Sequence, residues 1–167
     1  MDRQGTRRNG AVPRDSQTTP VLVVAVRTGM CAIPIEYVGE TMRPLPIEPL
    51  SGPHHFVRGV SMIRGAPVPV VDLDALLDAG ANGNGFRRFV TVRVGERRVA
   101  LAVDRVVGVR EIDPTQLGEL PPLLRHIDPN LVEAIGTSDA QLLLVLCAAR
   151  LIPDGDQASF ATALAEP

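Results

Sequence analysis

Two prolines two residues apart inside an apolar run, with two glycines ahead of them, limit what this chain can build. Residues 56–73 read FVRGVSMIRGAPVPVVDL. The β-branched content favours extended backbone. Pro67 and Pro69 would lose their N–H groups on the same edge of a strand, because strand geometry repeats every two residues. That edge cannot carry a full ladder, so the strand is an edge or bends sharply there. Gly59 and Gly65 interrupt the same run, where glycine marks a bulge, a bend or the close approach of another backbone. Arg64 then stands at the tip between two apolar strands, as a solvated turn residue or as a contact for a partner. Asp72 precedes Leu73, Leu76 and Leu77, so it is placed to cap a short helix that Gly80 would stop.

The rest of the chain is read in the same short pieces. Residues 21–27 are nearly all Val, Leu and Ala, Thr28-Gly29 signals a turn, and 30–35 form a second apolar run. Residues 89–94 alternate, with Val90, Val92 and Val94 on one face and Phe89, Thr91 and Arg93 on the other. Gly95-Glu96 has the Gly-X form of a two-residue hairpin turn. The returning strand, 97–103, puts Val99, Leu101 and Val103 on one face and Ala100 and Ala102 on the other, where something can approach closely. Residues 142–147 are apolar on both faces and predict a buried strand after a turn at 136–139. Residues 148–152 predict a second short helix, ended by Pro153. Many short strands with frequent turns predict an all-β barrel or sandwich.

Composition removes several function classes. With four Phe, one Tyr and no Trp in 167 residues, the chain cannot offer aromatic stacking platforms for single-stranded nucleic acid or sugars. A net charge of −2, with both signs mixed along the chain, lacks the basic face of a nucleic-acid binder. Cys31 and Cys147 both lie in apolar runs, which predicts reduced thiols in a cytosolic protein. The N-terminal arginines are followed by no apolar stretch before Val21, so no secretory leader is expected. The longest apolar run, 142–149, is too short to span a bilayer.

Residues 1–19 are polar and predict a flexible arm; 20–152 form the ordered body; 153–167 form a tail in which Phe160 and Leu164 could add a short docked helix. The Gly- and Asn-rich loop 80–85 divides the body into two strand-rich halves, so two sub-barrels are expected to meet near 80–86. That loop lacks the Lys-Ser/Thr of a phosphate-binding loop. His54-His55 point to opposite faces of an extended segment, with no cysteine or carboxylate spaced to complete a metal site. Pro121-Pro122 reads as a stiff connector. Asp72 and Asp104 lie at strand ends, where caps and turns are their ordinary duty. No nucleophile–base pair is visible, and no catalytic residue, metal or cofactor is expected.

Taken together, the motifs resemble the CheW family. Its pattern of Gly-Val, Asn-Leu-Arg-Gly and a Val-Pro-Val-Val-Asp-Leu strand is present as Gly59-Val60-Ser61-Met62-Ile63-Arg64-Gly65 and Val68-Pro69-Val70-Val71-Asp72-Leu73. Met62 replaces the Asn, and Asp74 replaces the Arg that often follows Asp-Leu. Residues 31–40 resemble the family's early Pro-containing segment, 101–109 its Val-Asp-x-Val strand, and 121–122, 131–135 and 142–147 its last third. The likeness covers about residues 20–152.

The resemblance implies two SH3-like five-stranded β-barrels around a shared core, with few short helices. It implies a non-catalytic cytoplasmic adaptor in two-component chemotaxis signal transduction, recruited to membrane receptor arrays without inserting into the membrane. The partners implied are a chemoreceptor's cytoplasmic tip and the regulatory domain of a CheA-type histidine kinase. By position, the receptor-facing groove would include Val38 for apolar contact, Glu40 and Arg64 for charge, and Gly59 for close approach. Read without the resemblance, Val38 is equally a core residue and Glu40 a solvated charge. The kinase-contact residues are not assigned. A related reading is an adaptor of a non-flagellar pathway, for surface motility or gene regulation. A reading from another class, a small β-barrel enzyme or ligand-binding protein, requires a closed cavity holding Asp72 and Asp104 together.

Overall fold

The computed structural model describes residues 17–50, 54–78, 85–124 and 126–151. Ten strands and one helix are described: β1 (Thr19–Val26), β2 (Gly29–Pro34), β3 (Val38–Met42), β4 (Val57–Ile63), β5 (Ala66–Asp72), α1 (Leu73–Leu77), β6 (Arg88–Val94), β7 (Arg97–Val103), β8 (Arg105–Ile112), β9 (Val132–Ser138) and β10 (Gln141–Leu146). They form two five-stranded sheets, ordered β8-β1-β2-β10-β9 and β3-β6-β7-β5-β4. None of the described helices is long and apolar enough to cross a membrane.

Period-two alternation sorts the apolar side chains into three cores. In the first sheet Val21, Val23, Met30, Ala32, Leu143 and Val145 pack together, joined by Val107 and Ile112 of β8 and Ala134 of β9. In the second, Ile63, Val68, Val70, Phe89, Ala100 and Ala102 do the same, joined by Met42 of β3. Each core therefore receives side chains from both edge strands of its own sheet, the sign of a sheet curled toward a barrel. The opposite faces, among them Leu22, Val24, Ile33, Leu144 and Leu146 against Val71, Val90, Val92, Val99 and Leu101, share the third and largest core. Strands buried on both faces explain the nearly continuous apolar runs. Ala100 and Ala102 lie in the same small core as Phe89, which stands opposite Ala102 on β6.

The two sheets have the same layout with the chain entering at different points. In each, a hairpin (β1–β2 or β6–β7) takes a lone strand on one side and a second hairpin, pairing in parallel, on the other. The chain changes sheet at the single 3-10 turn Ile35–Tyr37 and again at Asp104. The expected seam at 80–86 is therefore corrected: the strands before and after that loop, β3 to β5 and β6 to β7, belong to one sheet. A turn-rich linker marks a break in the chain path, which need not be a break between layers.

The paired prolines have a clear place. In a hairpin with a two-residue turn, the residues flanking the turn form a hydrogen-bonded pair, so Pro67 and Pro69 fall at positions whose missing N–H points away from β4. On that side β7 pairs only with Val70, Val71 and Asp72. The strand is thus interior at its end and an edge at its start. Asp72 caps α1 by accepting from the Ala75 N–H at 3.2 Å. The expected turn at 136–139 lies further on: β9 runs to Ser138, and the turn is Asp139-Ala140, both left-handed with φ of 50° and 62°. Leu142 is 42% exposed, unlike the residues after it. The second helix is one 3-10 turn, Ala148–Arg150. The greater part of the expected arm, the tail, Gly80 and most of the 80–85 loop lie outside the described residues.

Candidate functional site

Arg64 is held at the tip of the β4–β5 hairpin. Both turn residues, Arg64 and Gly65, have positive φ, 51° and 76°, the pattern of the turn whose twist matches paired strands. The side chain is 77% exposed and reaches Glu40 on β3, at the other edge of the same sheet. Its Nε donates to both carboxylate oxygens at 3.0 Å and its Nη2 to Oε2 at 2.7 Å. Curling of the sheet brings these two edges together.

Glu40 is aimed by a bulge. The pairing of β3 with β6 shifts register between Val38 and Thr41, which turns Gly39 and Glu40 out of the ladder. The Thr91 hydroxyl repairs the gap: it accepts from the Glu40 N–H at 2.9 Å and donates to the Glu40 carbonyl at 3.4 Å. Gly39 makes room for it, since a Cβ there would stand 2.6 Å from Thr91 Oγ1. Arg98, on β7, donates from Nη2 to Glu40 Oε1 at 3.1 Å. The hydrogen bonds from Arg64, then the charges of both arginines, hold the Glu40 carboxyl below its ordinary range. These groups line an open concavity of about 610 Å³ with Gly39, Thr91, Val92, Arg93 and Glu96.

The four residues singled out from sequence divide. Glu40 and Arg64 meet directly. Val38 is half-buried, pairs with Val92 and packs against the shared core. Gly59 is buried, with φ of 141°, beneath the Glu48 carbonyl. The backbone that approaches it is its own chain, through the Glu48–Val60 bridge, with hydrogen bonds of 2.8 and 2.9 Å. Neither Val38 nor Gly59 lines the concavity. Arg98 and Thr91 were missed. Their partner lies 58 and 51 residues away, and nothing in local spacing announces either contact.

A second basin, of about 650 Å³, lies beside the Asp104 crossover and is open to solvent. Asp72, Asp74 and Asp104 line it with Arg27, Arg87, Arg88 and Arg105. Asp72 and Asp104 do meet in one basin, but it is not closed, and the Asp72 and Asp74 carboxylates have structural duties. Asp72 caps α1 and takes Arg58 Nη2 at 2.6 Å and Nε at 3.1 Å. Asp74 Oδ1 accepts from the Thr28 N–H at 2.7 Å and from the Thr28 hydroxyl, tying the β1–β2 turn to α1. Burial, then the charges of Asp74 and Asp72, push the Asp104 carboxyl up from its ordinary value against Arg27 and Arg87. No Ser, Thr, Cys, His, Tyr or Lys is among the described residues lining it. His55 Nε2 lies 3.2 Å from the Ala75 carbonyl, and no group of three potential metal ligands occurs among the described residues. Both cysteines are free, and burial pushes the Cys31 thiol up to about 12.

Three comparisons bear on this arrangement. A model of the family described as CheW-like domain matches residues 20–155. The chain is 30% identical over 86 residues to the chemotaxis protein CheW of Thermotoga maritima, a stretch covering 52% of this chain and 57% of that protein. The chain thus spans little more than half the length of that curated relative. Among solved structures it resembles the scaffolding protein TtCheW from Thermoanaerobacter tengcongensis, with a TM-score of 0.67 and 25% identity over 78% of this chain and 89% of that one.

Proposed function

Because the chain belongs to the CheW-like domain family, we propose that it is a non-catalytic scaffold coupling chemoreceptors to a CheA-type histidine kinase in the cytoplasm. The observation that carries the reading is Arg64, raised on a two-residue hairpin tip, 77% exposed yet oriented by Glu40. A charged group that is pre-aimed and still accessible suits partner recognition, since little side-chain freedom is lost on binding. Glu40 and Arg64 supply the charged part of the receptor-facing surface. Val38 supports it from within the strand, and Gly59 supports it by allowing the Glu48 segment to lie against β4. The kinase domain is taken on other faces of the two sheets, by exposed edges and apolar patches.

The test is a pull-down of the full chain with receptor tips and, separately, with a kinase regulatory domain. Arg64→Glu places two carboxylates together and is expected to weaken receptor binding while circular dichroism and the melting curve stay close to the parent. Undiminished receptor binding by a folded Arg64→Glu chain overturns the assignment. Met62, 60% exposed on β4 next to this tip, favours a second reading, an adaptor of a non-flagellar pathway with its own receptor. Identifying which receptor and kinase co-purify with the chain separates the two.

A further inference from the structure

Arg98 turns the pair of Glu40 and Arg64 into a three-membered cluster. Glu40 Oε1 is held by Arg98 from β7 and by Arg64 Nε from the hairpin tip, while Oε2, among the described residues, is held by Arg64. The Arg98 side chain is 32% exposed and that of Glu40 26%, so both border the concavity instead of waving in solvent. Two guanidinium groups on one carboxylate leave the cluster with an excess positive charge. The remaining charged pair of the concavity, Arg93 with Glu96, closes on itself at 3.9 Å and adds none.

We propose that Arg98 is a specificity-determining residue of this surface: it fixes Glu40 from the β7 side, and the surplus charge selects a receptor surface that presents a carboxylate at this point. The inference rests on the receptor-facing reading above. Arg98 acts in two separable ways. It positions Glu40, so Arg64 keeps its orientation when solvent or a partner competes for it. It also supplies the net charge that makes an anionic partner side chain favourable and a neutral one indifferent.

Two measurements with the full-length chain test this, using Arg98→Leu and Arg98→Lys. The first is a pH titration of the Glu40 carboxyl by carbon NMR, without any partner. Loss of Arg98 should raise the Glu40 pKa, and Arg98→Lys should restore part of the shift; an unchanged titration in Arg98→Leu overturns the positioning role. The second is binding to a chemoreceptor tip hairpin with glutamate facing this site and to its Glu→Gln form. The parent should prefer the glutamate form by about two- to fivefold, as expected of a part-exposed charge pair. Arg98→Leu should lose that preference, and the preference should shrink with added salt. Equal discrimination by parent and Arg98→Leu overturns the specificity role. Failure of the parent to bind either hairpin overturns the receptor reading itself and the specificity role with it, while the NMR titration still decides whether Arg98 positions Glu40.

Discussion

Gly59→Ala tests whether Gly59 serves the surface or the fold. A Cβ at this position would overlap the Glu48 carbonyl oxygen and stand 2.7 Å from its carbon and 2.9 Å from Ile47 Cγ2. The φ of 141° adds a conformation that costs a residue with a side chain about 1–3 kcal/mol. The obstacle is backbone, so relief requires the Glu48 segment to move, at the expense of its two hydrogen bonds to Val60, worth about 1 kcal/mol each. Alanine recovers about 0.5–1 kcal/mol by stiffening the unfolded chain. The expected net loss is about 3 kcal/mol, or a fall in Tm of roughly 6–12 °C for a domain of this size. Urea and thermal unfolding read this directly, and amide exchange at Val60 should accelerate as the bridge opens. A Gly59→Ala chain within about 0.5 kcal/mol of the parent refutes the reasoning. If that stable chain also failed to bind a receptor tip, Gly59 would instead be a contact residue.

Asp72→Ala should cost about 2–3 kcal/mol, combining a lost cap with the lost ion pair to partly solvated Arg58, whereas Asp72→Asn keeps the cap and should cost roughly half as much; equal losses in urea midpoints count against the division. Asp104 is raised above its ordinary 3.8 by burial and by Asp74 and Asp72, so its ionised form is disfavoured in the fold. That penalty is absent below the unfolded pKa and complete above the folded one, so Asp104→Asn should stabilise the protein at pH 7, and the gain should fade as pH drops toward 3.8. A destabilised variant at pH 7 contradicts this. With its thiol pushed up to about 12, Cys31 should resist alkylation at pH 8 until the chain unfolds, while half-buried Cys147 reacts first. Mass spectrometry showing equal native labelling would contradict the burial argument.

The local grammar is legible in the sequence. The Pro67/Pro69 spacing predicted a strand that is edge-like where the prolines sit, Gly95-Glu96 predicted the β6–β7 turn, and Asp72 predicted a cap, because each depends on dihedral preference or on neighbours a few residues away. Alternation in 89–94 and 97–103 correctly separated the side chains that enter the small core from those that enter the shared one. Arg64 was legible as an exposed tip, since a two-residue turn leaves its side chains nowhere to bury.

Tertiary structure alone decided which strands share a sheet. β2 pairs with β10 and β5 with β7, parallel pairings that no turn sequence can encode, and they moved the sheet boundary from the glycine-rich loop to Tyr37 and Asp104. Tertiary structure also decided the chemistry of the candidate surface. Glu40 becomes an oriented carboxylate only because a bulge turns it outward, sheet curling brings Arg64 across from the far edge, and β7 delivers Arg98 beside it. The physical reason is the same in both cases: turns and caps are local free-energy minima, whereas strand pairing and ion-pair geometry depend on the burial of apolar faces far apart in the chain.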